Sequence, residues 1–132
     1  MSTGFVVFAH GSRVEAANQA VRAVAAEMAR TGGLAYVEPA FLELGTPSLE
    51  SAVDTLLARG AGRIVVIPYF LTLGIHLERD LPRIVERISR ARNGLAIEVT
   101  APLDGHPALV QILLDRAGTA ASSLSESRST NT

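Results

Sequence analysis

Two aliphatic runs, GFVVFA at 4–9 and RIVVIPYF at 63–70, leave this chain few folds to choose from. Neither alternates polar with apolar residues, as a strand with one wet face does. Each therefore reads as a strand buried on both sides, which calls for a parallel sheet with helices above and below it. The segments between the strands have the helical period. Val14, Ala17, Val21, Val24 and Met28 mark a first helix, which Gly32-Gly33 stops. Leu49, Ala52, Val53, Leu56 and Leu57 mark a second, entered through Thr46 and Pro47. A third runs from about Leu77 to Ala91 and turns Leu81, Ile84, Val85 and Ile88 inward, and a fourth occupies roughly Pro107–Ala120. Two further strands are expected at Leu34–Glu43 and Leu95–Ala101, the former on a sheet edge or at a bulge because of Pro39.

Strand and helix thus alternate four times. The expectation is an α/β fold: one four-stranded parallel sheet with helices on both faces, a flavodoxin-like half unit with right-handed crossovers. Gly4–Ala9 and Arg63–Phe70 should lie side by side at its centre. One domain spans 1–120, and the polar stretch 121–132 is expected to be a disordered tail.

The charge balance is 12 − 13 = −1, which gives no basic surface for nucleic acid or membrane. All twelve cations are arginine, so no lysine is present to form a Schiff base. With no cysteine there are neither disulfides nor thiolates for metal or catalysis. No leader segment and no apolar run near 18 residues stands out, and a cytoplasmic location is expected. Neither a P-loop nor a G-x-G-x-x-G is present.

Ligands of open parallel sheets bind beyond the carboxyl ends of the strands. His10 follows the first strand, Glu43 ends the second, His76 lies in the loop after the third and His106 just after the fourth. A lone histidine at a strand end is commonly structural, but His10 and His76 on one edge suggest a divalent first-row metal. His106, before Pro107, can be a helix cap. Ser12 is expected to cap the first helix, with Glu15 completing a capping box. The helix starts at Ser12 and Thr46 offer N–H groups to anions, with Arg13 and Arg79 as candidate salt partners.

Four segments then resemble one family. FAHGSR at 8–13, FLELGTPSL at 41–49, IPYFLTLGIHLERDLP at 67–82 and APLDGHPAL at 101–109 are similar, in order, to the small CbiX-type sirohydrochlorin chelatases. The third segment is the most specific. The resemblance implies a chelatase-like fold and a class II chelatase, which inserts a divalent metal into a tetrapyrrole without ATP. It implies that His10 and His76 contact the metal, and Glu43 matches the family's acidic motif less closely. Co²⁺, Ni²⁺ or Fe²⁺ would be a substrate, with no tightly bound cofactor, and sirohydrochlorin or a related tetrapyrrole the other partner. The longer members carry two such units, so this short chain is expected to form a homodimer. The identity of the pyrrole proton acceptor stays open between a histidine and Glu43. A carrier that binds metal or tetrapyrrole without inserting, and a phosphate-binding α/β module, are the alternatives.

Overall fold

A computed structural model of the chain describes the backbone of residues 2–130 and the side chains of residues 2–122. The chain divides into two compact units, Met1–Pro102 and Leu103–Thr132.

The first unit holds a four-stranded sheet in the order β2-β1-β3-β4, with β1 at Thr3–Ala9, β2 at Val37–Phe41, β3 at Arg63–Pro68 and β4 at Ile97–Val99. Every pairing is parallel, and β1 and β3 are the central neighbours, as their unbroken apolar character requires. Pro39 sits in β2, an edge strand, where a missing ladder donor is tolerated. β2, β3 and β4 are shorter than the runs that announce them.

Alternate residues of β1 feed two separate cores. Val6 and Phe8 lie in the larger one, beneath α2 (Leu49–Arg59) and α3 (Ile75–Arg90), with Val53, Leu56, Leu81 and Ile88. Val7 and Ala9 lie in the smaller one, with Val21 and Ala25 of α1 (Glu15–Gly32) and Phe41. Helices therefore cover both faces. The expected inward residues of α2 and α3 are buried or half-buried throughout.

The stripe on α1 is rotated from the expected one. Val14 and Val24 are exposed, and the buried positions are Asn18, Val21 and Ala25. A polar residue occupies the first position of the true stripe, which hides it from an apolar count.

In the second unit, α4 runs from Ala108 to Thr130. Helix thus replaces the expected disorder as far as Thr130, and residues 131–132 lie outside the described residues. The segment is polar but holds no proline, so nothing in it forbids helical backbone. Val110, Ile112, Leu113 and Leu114 of α4 are exposed.

One ion pair ties α2 to the turn after α3. Arg92 reaches Asp54 with Nε at 2.6 Å and Nη2 at 2.9 Å, and lies 3.2 Å from Glu50. These hydrogen bonds hold the Asp54 carboxyl below its ordinary pKa, against the opposing effect of burial. A lowered carboxylate pKa contributes stability above the unfolded value, and that contribution is lost as pH falls through the folded value. Asp54 is 56% exposed, so solvent screening limits the pair to about 1 kcal/mol. Asp54→Asn is therefore expected to lower Tm by about 4–8 °C at pH 7. The gap should be smaller at about pH 3, below the ordinary aspartate value. Thermal melts at both pH values check this; an equal gap at both would refute it.

Candidate functional site

The register of the sheet places the site. Ala9 stands opposite Phe41 where β1 and β2 end. The two chains stay together beyond that point: Leu42 N–H donates to Ala9 O at 2.9 Å and Glu43 N–H to His10 O at 3.0 Å. On the other side of β1, Tyr69 N–H donates to Phe8 O at 2.7 Å. These backbone bonds bring residues 10 and 43 side by side. His10 Nε2 lies 3.6 Å from Glu43 Oε1, with more than half of each side chain exposed. The Phe70 ring meets the imidazole edge-on, centroids 6.4 Å apart, and rests on Phe8.

Gly11 makes the close approach possible. Its φ is +95°, and a Cβ built there would stand 1.7 Å from Glu43 O. Only a residue without a side chain lets the two loops touch here.

His76 is placed differently from the expectation. It is the second residue of α3, whose N-cap is Gly74, rather than part of the preceding loop. A helix needs no side-chain cap to begin at a glycine, which is why this start was not legible. His76 is exposed, and its Nδ1 lies 3.4 Å from an Arg79 guanidinium nitrogen. Among the described residues, no three His, Asp or Glu side chains stand close enough together to hold a metal ion between them. His10 and Glu43 form a pair; His76 stands apart from it, at the end of the adjacent strand's connection.

The anion-binding roles expected of Ser12 and Thr46 meet a different geometry. α1 begins at Glu15 and its N-cap, Val14, has no side-chain cap bond. Ser12 Oγ accepts from Val14 N–H at 3.0 Å, a local turn rather than a capping box. α2 is capped by Ser48, whose Oγ accepts from Ser51 N–H, so Thr46 lies outside it. Thr46 O accepts from Arg22. Arg13 is exposed and has no ion-pair partner among the described residues. In the second unit, His106 Nδ1 accepts from Ala108 N–H at 3.0 Å, the capping role considered for it.

The residue missed by sequence reasoning is Asn18. It is 1% exposed, and its carboxamide bonds the loops on both sides of the pair. Its signal was the spacing of Asn18, Val21, Ala25 and Met28, which is a helical stripe once one polar member is allowed. A groove of about 360 Å³ between α2 and α3 is lined by residues such as Leu42, Ser48, Asp54 and Arg87, and by no histidine. The His10–Glu43 pair is an open edge rather than a cavity.

The CbiX family matches residues 4–120. This chain belongs to the CbiX family. It is 33% identical over 113 residues to the chloroplastic sirohydrochlorin ferrochelatase of Arabidopsis thaliana, covering 86% of this chain and 50% of that protein. It is 32% identical over 114 residues to the sirohydrochlorin cobaltochelatase of Sulfolobus acidocaldarius, covering 86% and 89%. Among solved structures, the CbiX protein from Marinobacter aquaeolei VT8 superposes with a TM-score of 0.79 at 26% identity, over 92% of this chain and 98% of that one. The sirohydrochlorin chelatase SirB from Bacillus subtilis, in complex with cobalt, gives 0.71 at 27% identity, over 77% of this chain and 44% of that one. The chain thus spans about half the length of the plant and Bacillus proteins, and most of the other two.

The contact at Gly11 yields a prediction for this CbiX chain. Gly11→Ala combines an unfavourable φ with a backbone collision, so it should destabilise the fold by about 2 kcal/mol or more. Urea unfolding checks this, and a parent-like free energy of unfolding would show that the loops part without cost.

Proposed function

We propose that this chain inserts a divalent metal, cobalt, nickel or iron, into sirohydrochlorin or a related tetrapyrrole without ATP, serving cobalamin or siroheme formation. The names of its relatives support the reaction class, and the His10–Glu43 pair carries the reading at the level of atoms. His10 Nδ1 lies 3.3 Å from Gly11 O, which suits a proton on Nδ1 and leaves the Nε2 lone pair free. That lone pair faces the Glu43 carboxylate across 3.6 Å. Two donor atoms about 2.1 Å from one ion, at tetrahedral angles, stand about 3.4 Å apart. The gap therefore fits a cation shared between them.

Insertion requires the metal to shed water, the two pyrrole N–H protons to leave, and the ring to bend toward the ion. An exposed pair of ligands holds metal weakly enough to release it, where a closed four-ligand site would keep it. His76 is the second imidazole in this reading, delivered from the first turn of α3 beside the strand that carries His10. Glu43 is free to act as a ligand or to accept a pyrrole proton. Arg13 and Arg79 are the candidate partners for the substrate's carboxylates, with Thr46 as a further one; Ser12 N–H is already bonded to the Asn18 carboxamide. The exposed Leu71 and Ile75, on either side of Gly74, offer an apolar wall to the ring.

The protein is mixed with sirohydrochlorin and each of Co²⁺, Ni²⁺ and Fe²⁺, and the visible spectrum followed against a protein-free blank. Turnover above the blank is expected. A signal that saturates at one equivalent of protein would instead indicate a carrier. His10→Ala and His76→Ala should each slow insertion at least tenfold. His76 is exposed, so its loss should change stability by no more than about 0.5 kcal/mol. Parent-like insertion by His76→Ala for all three metals would remove it from the site.

A cytoplasmic homodimer completes the proposal. One unit offers a single wall to a flat ring, and the exposed apolar residues of α4 supply surface for a partner. Light scattering at micromolar concentration should return twice 13.9 kDa. A fully active species at the monomer mass would overturn it.

A further inference from the structure

We propose that Asn18 is a positioning residue for Glu43: its buried carboxamide fixes the loop after β2 against the loop after β1, and so sets the His10–Glu43 separation. This rests on the reading of His10 and Glu43 as the metal-handling pair. Asn18 Oδ1 accepts from Ser12 N–H at 2.9 Å, while Nδ2 donates to Ser12 O at 2.9 Å and Leu44 O at 3.0 Å. A further contact reaches Glu15 Oε2 at 3.3 Å. One side chain thus grips the residue two places after His10 and the residue next to Glu43.

The grip is needed because the loop is not in a relaxed conformation. Leu44 has φ +57°, a region that a leucine holds only where its surroundings determine it. The carbonyl that this conformation presents is the one Asn18 binds. Gly45 follows, and a Cβ there would stand 3.1 Å from Asn18 Nδ2 and 3.0 Å from the Phe41 ring, so the loop is laid directly on the amide. One turn along α1, Arg22 reinforces the arrangement. It donates to Thr46 O at 2.9 Å, pairs with Glu15 at 2.6 Å and lies over the Phe41 ring.

Packing alone does not call for an asparagine here. The position begins an apolar stripe, where a leucine would extend the core. A buried amide is tolerated only when its polar atoms are bonded, and these are bonded to the two loops that carry the pair. The ladder bond from Glu43 N–H to His10 O fixes the backbone up to residue 43. Asn18 fixes what comes next, and with it the direction in which the Glu43 carboxylate leaves the chain.

The test is a double-mutant cycle between Asn18→Ala and Glu43→Gln. Co²⁺ affinity is measured by competition with a chromophoric chelator, and insertion into sirohydrochlorin by initial rate. Both are read well below each variant's melting temperature. In the parent background, Asn18→Ala is expected to weaken Co²⁺ binding about fivefold and slow insertion about tenfold. In the Glu43→Gln background the same change should alter either by less than twofold, because residues acting through one another are not additive. Asn18→Leu removes the amide while still filling the buried position, and repeats the cycle where the alanine variant folds poorly. Equal factors in both backgrounds, or parent-like affinity in a folded Asn18 variant, overturn the proposal. A parent protein that binds Co²⁺ yet inserts nothing removes the chelatase reading, while the affinity cycle still decides Asn18. A parent that binds none of Co²⁺, Ni²⁺ and Fe²⁺ overturns both.

Discussion

The parallel pairing of β1 with β2 on one side and β3 on the other is the constraint on which the rest of the first unit depends. It buries β1 on both faces, so its alternate residues must fill two cores at once, and it forces helices onto both sides of the sheet. It also makes the three strands end nearly level. Parallel strands end on the same side, so the connections after them crowd onto one edge. Chemistry accumulates there because the backbone delivers side chains from separate parts of the chain without needing any of them for the core.

That delivery explains why the candidate site is exposed. His10, Glu43 and His76 lie outside the hydrophobic clusters, and their positions come from ladder bonds, a glycine contact and a helix start rather than from packing. Rigidity is supplied one layer down, by Phe41, Asn18 and the Phe8–Phe70 contact. A surface pair on a stiff base suits a cargo that must be caught in a defined geometry and then given away.

Much of this was legible in the sequence. Unbroken aliphatic runs gave away the two central strands, Pro39 the edge, and helical spacing the buried faces of α2 and α3. His10 and Glu43 could be assigned to one edge because strand order and strand ends suffice for that. What was hidden depends on hydrogen bonds between segments far apart in the chain. Asn18 looks like any polar helix residue until the loop at residue 44 arrives beside it. Ser12 and Thr46 look like caps because the residue types are right, while Val14 and Ser48 hold those positions in the structure. The start of α3 carries no signal of its own in the sequence, because its cap is a glycine with no side chain to announce it.

Pro39 has an effect beyond being tolerated. Phe41 N–H points away from β1, since it donates to Pro47 O at 2.9 Å, and residues alternate along a strand. The nitrogen of Pro39 therefore faces the outer rim of β2 as well, where it has no hydrogen to offer. Of the three outward nitrogens of this strand, at residues 37, 39 and 41, one is spent on the chain's own loop and one is blank. A newcomer strand laid along that rim would find a broken row of donors. At the far rim β4 is only three residues long. Brevity at one margin and proline at the other thus blunt both edges of the sheet as templates for a further strand.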